Sequence, residues 1–342
     1  MTDTGTGKRL RGLLFKAIGL ALAVFLVWRT VKATGDGLPE ALASASYGLL
    51  LLNAALYGVV NLAAAWRWQM LLKVQGLDVG LGDAFRMTLI GVFFSNIIPG
   101  SVSGDLVKCA YIAARSGGKK AEAVLTIAVD RYIGLLGLFA VAMVSSALLA
   151  VLYPGLLFGS RIVMLGTGAV CAGGLGMLAA SAAVAMRRRI MAVWPFGRLA
   201  ASGAALLPAR AREMASRLVA AIDLYCAHPA AAVKVLCVSM GIHSMLAMMN
   251  FLIGKAFHEK AMSFLQYMIS TQIGNATGLF PVTPGGIGIR DSVTAAFLEA
   301  FKATPKEAMA LIPLAYSLTM VLWALIGAVV MLAGGGRARH EG

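Results

Sequence analysis

Six apolar stretches in this chain are each long enough to cross a lipid bilayer, at about 12–29, 45–66, 122–150, 161–186, 231–254 and 308–333. A spanning helix needs roughly 20 predominantly apolar residues, because each residue rises about 1.5 Å and the hydrocarbon core is about 30 Å thick. One such run fits the buried helix of a soluble protein; six do not. Hydrocarbon offers the backbone no hydrogen-bond partner, so segments of this length satisfy their own N–H and C=O groups as helices. Composition agrees. Of 342 residues, 59% are hydrophobic and 13% charged, against about 45–50% and about 25% in a soluble domain. The mean hydropathy is +0.82. These values exclude disorder and a collagen-like chain, and they leave too little charge to cover an ordinary soluble enzyme. The expected fold class is an all-α polytopic integral membrane protein.

Two further apolar regions, 83–114 and 262–301, are interrupted in their middles. The first carries Asn96-Ile-Ile-Pro99-Gly100-Ser101-Val-Ser103-Gly104-Asp105. The second carries Phe280-Pro281-Val-Thr283-Pro284-Gly285-Gly286-Ile-Gly288-Ile-Arg290-Asp291. Proline removes a backbone donor and clashes inside a helix, and clustered glycine loosens it. Each region is therefore expected to be two half-helices meeting at a buried break, since irregular backbone at membrane depth survives only inside protein or along a cavity. This gives six full spans plus two broken, re-entrant hairpins. Pro99, Gly104 and Lys108 recur as Pro281, Gly286 and Arg290 with the same steps of five and four residues. That echo is the basis for expecting inverted repeats, the arrangement in which transporters place a site between broken helices.

The chain carries a formal charge of +15. With so apolar a composition, anionic lipid rather than nucleic acid is the expected partner of the basic residues. Lys and Arg concentrate on the cytoplasmic side of membrane proteins. With the N-terminus inside and both broken regions returning to their own side, the cytoplasmic segments 1–16, 67–86, 115–120, 187–217 and 337–339 hold 19 of the basic residues and the opposite side seven. The expected location is a bacterial inner membrane with both termini cytoplasmic. A single membrane domain covers 12–333, between short tails at 1–11 and 334–342. Its first run reads as an uncleaved signal-anchor. Segment 187–230 opens with Arg187-Arg188-Arg189 and carries Trp194. It reads either as a basic amphipathic helix at the bilayer surface or as a solvated linker. The four cysteines show no CxxC and the four histidines no HExxH spacing. No metal, disulfide framework or cofactor is expected.

The candidate site residues follow from the breaks. A half-helix that begins at a break points free N–H groups into it, which favours an anion, and a nearby Lys or Arg adds a full charge. Lys108, Arg131 and Arg290 are the candidate phosphate-binding cations. Asn96, Ser101, Ser103, Asn275 and Thr283 are candidate head-group partners or supports of freed backbone. Pro99, Gly100, Gly104, Pro281, Pro284, Gly285, Gly286 and Gly288 shape the breaks. Asp105, Asp130 and Asp291 are acidic groups inside apolar runs, where an unpaired charge costs about 2.5–3.5 kcal/mol. Either they serve the site or they pair with neighbouring helices. Asp130 and Arg131 project about 100° apart on a helix, so each needs its own partner. No catalytic residue is assigned.

The residues at the two breaks, together with Asp130-Arg131 and Gly134-Leu135, resemble the lysylphosphatidylglycerol synthase/flippase transmembrane family, the membrane half of bacterial multiple-peptide-resistance proteins. The resemblance covers about 12–333. It implies a flippase that moves an anionic or head-group-modified lipid between leaflets. Two-domain relatives add a cytosolic aminoacyl-transferring synthase, which is not found within this sequence, so the chain is expected not to be an enzyme. Its cargo is left open among an anionic phospholipid, an aminoacylated lipid, a hopanoid and a polyprenyl-linked lipid. Two other readings stand beside it. One is an integral-membrane transferase acting on a lipid-linked sugar. The other is a non-catalytic lipid-binding subunit, with a second copy or a biosynthetic enzyme as partner.

Overall fold

The computed structural model describes residues 38–97, 103–115, 120–192, 216, 219–220, 222–278 and 283–335. Its helices are α1 (Leu38–Ala43), α2 (Tyr47–Val74), α3 (Leu81–Ile97), α4 (Ser103–Arg115), α5 (Lys120–Leu152), α6 (Pro154–Phe158), α7 (Arg161–Ala192), α8 (Pro229–Ala256), α9 (Phe264–Thr277), α10 (Ile289–Ala300) and α11 (Ala308–Gly335), with a 3-10 turn at Pro284–Gly286. Among the described residues there is no strand. Five helices, α2, α5, α7, α8 and α11, are long and apolar enough to cross a membrane. They correspond to five of the six expected spans. The expected span 12–29, the tails and most of 187–230 lie outside the described residues.

Both interrupted regions fold as antiparallel helix pairs. α3 packs on α4, and α9 on α10. The helices are short: α4 has 13 residues, α9 has 14 and α10 has 12. At about 1.5 Å per residue they reach roughly 18–21 Å, well short of the hydrocarbon thickness. Glycine lets each pair close. A Cβ on Gly104 would fall on the Gly91 carbonyl of α3, and one on Gly274 would fall on the Thr294 hydroxyl of α10.

Hydrogen bonds fix which ends share a side. The Ser46 N–H donates to the Ala256 carbonyl at 2.9 Å and the Lys260 N–H to Thr304 at 3.3 Å, so the starts of α2, α9 and α11 gather at the end of α8. At the other side the Tyr225 hydroxyl donates to the Leu71 carbonyl at 3.1 Å. Hairpin α3–α4 enters from this second side and α9–α10 from the first. Their tips meet: a Cβ on Gly285 would sit 2.6 Å from Asn96 Oδ1 at the end of α3. Each hairpin is held in its own apolar cluster. Trp68, Leu72, Met87, Ile112 and Ile127 surround the first. Met249, Ile253, Tyr267, Phe297 and Ile312 surround the second. The outward faces of α7 and α11 are apolar as well. Leu165, Leu175, Leu325, Val329 and Leu332 are 58–74% exposed, as a lipid solvent permits.

α7 runs six residues past its expected end, to Ala192, but the boundary with consequences for the site is that of α2. α2 does not stop near residue 66 but continues to Val74. The buried series Trp68, Leu71 and Leu72 continues the helical period beyond the polar Arg67. Arg67, expected in a loop on the basic side, therefore lies inside the helix and is 8% exposed.

Candidate functional site

Five ionisable side chains gather where α2, α4 and α5 meet beneath the first hairpin tip. Arg67 grips Asp130 with two hydrogen bonds, Nε to Oδ1 at 2.8 Å and Nη2 to Oδ2 at 3.2 Å. Its third arm, Nη1, donates to the Ser239 hydroxyl of α8 at 3.1 Å. Gly134, one turn along α5 from Asp130, leaves room for this guanidinium: a Cβ there would lie 3.4 Å from Nη1. The neighbouring Arg131 pairs with Asp105, near the start of α4. Adjacent residues on α5 thus reach different helices, as their angular separation requires.

The fifth member is Lys108, one turn along α4 from Asp105. Its ammonium lies 4.9 Å from the centre of the Trp68 ring. Among the described residues it has neither a carboxylate nor a hydrogen-bond partner. The cluster thus holds three cations and two carboxylates. The surplus charge sits against an aromatic face, which stabilises a cation without neutralising it. Both named arginines are engaged with carboxylates.

The second break is built differently. Pro284 opens the 3-10 turn, and Gly285, Gly286 and Gly288 all have positive φ (59°, 72° and 89°), a region that side chains enter at a cost. Asp291 caps α10 by accepting the Gly288 N–H at 3.0 Å. The same carboxylate accepts from Arg290 Nε at 3.2 Å and from the Ser317 hydroxyl of α11 at 2.7 Å. Arg290 also donates to Ser317 and to the Gly285 carbonyl, and its guanidinium stacks 4.8 Å above the Tyr316 ring. Arg290 and Asp291 are 4% and 3% exposed. Contact of Arg290 with a lipid phosphate would require exchanging one of these protein partners.

Between the breaks lie polar atoms with no hydrogen bond among the described residues: Asn96 Oδ1, Asn275 Nδ2 and Thr283 Oγ1. Thr283 is 2% exposed. Asn96 satisfies its amide on its own helix, donating to the Val92 carbonyl at 2.8 Å. Pro99, Gly100, Ser101 and Pro281 lie outside the described residues. Ser103 opens α4. The echo between the breaks holds in spacing but not in placement. Gly104 and Lys108 lie within α4, whereas Gly286 precedes α10 and Arg290 is its second residue.

The arrangement brings Lys108, Arg131, Asp105 and Asp130 into one cluster and gathers Arg290, Asp291 and the glycines into another. Sequence reasoning missed Arg67, Trp68, Ser239, Tyr316 and Ser317. For Arg67 a signal existed: it sits between tryptophans on a helical period that runs on to Leu72. The others are ordinary span residues, recognisable only once their partners are known.

Taken together, the spans and the two opposed broken hairpins define a polytopic, all-helical membrane protein with charged groups stored at its helix breaks. The chain belongs to the family described as "Lysylphosphatidylglycerol synthase TM region", whose profile matches residues 16–331. It is also similar to a UPF0104 membrane protein of Pyrococcus horikoshii, 28% identical over 126 residues. That match spans 35% of this chain and 35% of the relative, so the chain covers about a third of that relative's length.

Proposed function

We infer that the chain is a lipid translocase, which moves a lipid with an anionic or modified head group between leaflets by passing it along the two helix breaks. The observation that carries this reading is the surplus cation at the first break. Lys108 is held ready for an anion while Arg67 and Arg131 are neutralised by Asp130 and Asp105. A lipid phosphate supplies the missing negative charge, and the positive end of the α4 dipole favours the same ligand. The cluster lies about 10 Å from the end of α2, seven residues short of Val74. Arg290 and Asp291 hold the second break in shape, and Asn96, Asn275 and Thr283 offer neutral hydrogen-bonding groups between the two.

The alternative of acid–base chemistry on a lipid-linked sugar is less well supported. Each of the three buried aspartates is engaged by an arginine, so none of them presents a free carboxylate to a substrate. The test is transbilayer movement of fluorescent phosphatidylglycerol in proteoliposomes. Lys108→Gln should slow it at least tenfold while the protein remains monodisperse and helical. Wild-type movement in that variant would remove Lys108, and with it the basis of this reading.

A further inference from the structure

A second lipid site, separate from the charged cluster, is built into the outer wall of the second hairpin. A groove of about 1040 Å³ runs between α7 and the α9–α10 pair. That is at the upper end of the roughly 300–1,000 Å³ usual for small-molecule sites. Small residues make it. Ala169 on α7, Ala276 on α9 and Ala296 on α10 line it, while Gly166 makes room for the Phe297 ring that packs against it. Further along, α7 packs closely on α5: a Cβ on Gly173 would lie 2.8 Å from the Phe139 ring.

The groove is apolar along its walls and polar at its two ends. At the bilayer surface it ends on Arg161, the first residue of α7, which is exposed and has no ion pair or hydrogen bond among the described residues. At depth it ends beside Thr277 and Ser292, against the hairpin tip. From Arg161 to Val170 the α7 wall descends about 13 Å, close to half the thickness of the hydrocarbon core. A cation at the surface and an apolar trough one leaflet deep match a phosphate and an acyl chain in the order in which a phospholipid presents them.

The geometry points to this groove as a binding site for one anionic diacyl phospholipid, its phosphate on Arg161 and an acyl chain along Leu165, Ala169 and Val293. The lipid is taken from the leaflet on the side where α7 begins. Arg161 provides the preference for an anionic head group, because no carboxylate lines the groove to oppose it. The site does not depend on the translocase reading. It stands on the groove and the unpaired guanidinium, with no group shared with the Lys108 cluster.

The full chain, reconstituted in vesicles of phosphatidylcholine with a trace of phosphatidylglycerol carrying an acyl-chain diazirine, is photolysed and the labelled peptides are mapped. Labelling is expected on α7 and α10 around the groove, at least fivefold above that on the exposed face of α11 at Val329 and Leu332. Arg161→Gln and Ala169→Trp should each abolish the excess, one by removing the charge and the other by filling the trough. Ala296→Trp fills it from the opposite wall and guards against misfolding of either variant. Lys108→Gln should leave the labelling unchanged, which separates this site from the translocase reading. Labelling no greater than on α11, retention of the excess in Arg161→Gln, or equal labelling by a phosphatidylcholine probe would each overturn the proposal.

Discussion

Replacing Asp130 by Asn should destabilise the protein more than replacing its partner Arg67 by Gln, and the reason is the charge count of the cluster. Both residues are 8% exposed, and the pair is bidentate. Removing one partner of a buried pair typically costs about 3–5 kcal/mol, because the other charge is left unpaired. The two deletions differ in what remains. Without Arg67 the cluster keeps Lys108 and Arg131 against Asp105 and Asp130, and Lys108 can turn toward Asp130. Without Asp130 it keeps three cations against Asp105 alone. We therefore expect about 3 kcal/mol for Arg67→Gln and about 5 kcal/mol for Asp130→Asn, which at 1.36 kcal/mol per decade is about 150-fold and about 5,000-fold in the folding equilibrium. The double variant restores the wild-type surplus of one cation and should fall well short of the sum. Reversible unfolding in mixed detergent and SDS micelles, followed by tryptophan fluorescence, measures all four corners of the cycle. Additivity within about 0.5 kcal/mol, or a reversed order of the single variants, would refute the charge-count argument. The Asp105–Arg131 pair provides the internal contrast. The Arg131 side chain is 46% exposed against 10% for Arg67, so less packing is lost with it, and its removal should cost less than removal of Arg67.

Two more tests address the second hairpin. Ser317→Ala removes the hydroxyl shared by Arg290 and Asp291. It should lower stability by about 1.5–3 kcal/mol in the same unfolding assay, the range for a hydrogen bond to a charged group. In a background without the four native cysteines, Asn96→Cys with Gly285→Cys should form an oxidative cross-link within one chain. A Cβ on Gly285 would lie 3.7 Å from the Asn96 Cα; absence of the cross-link in both detergent and vesicles would contradict tip-to-tip contact.

Much of the architecture was legible because it follows from a few strong local rules. Apolar length marks spans, and the described ends of α5, α8 and α11 fall within two residues of the expected limits. The second break announced itself through Pro284, Gly285 and Gly288, and the two glycines adopt backbone conformations few other residues tolerate. The pairing of Asp130 and Arg131 to separate helices followed from helix geometry. Which helices they reach did not, because Arg67 and Asp105 come from distant parts of the chain and only packing sets the match. Arg67 was misplaced for a physical reason. A sequence pattern treats an arginine as a boundary, yet a bidentate carboxylate offsets its desolvation and lets the helix run on for another two turns. Arg290 shows the converse. Its position at a glycine-rich break suggested a phosphate ligand, while Ser317 and Tyr316, which occupy it, sit in an otherwise unremarkable stretch of α11.

The Arg67–Asp130 pair also bears on how the chain enters the membrane. The two residues are 63 positions apart, and the ribosome adds about 5–20 residues each second, so α2 waits about 3 to 13 s for the helix that carries its counter-charge. During that interval α2 must hold an arginine whose insertion costs about 2.5–3.5 kcal/mol near a helix centre. Arg67 lies seven residues from the end of α2, near enough for its long side chain to reach the head groups in the meantime. Synthesis of α5 would then draw the guanidinium inward. The pair thereby links the maturation of the first hairpin, which lies between the two helices in the chain, to the arrival of α5.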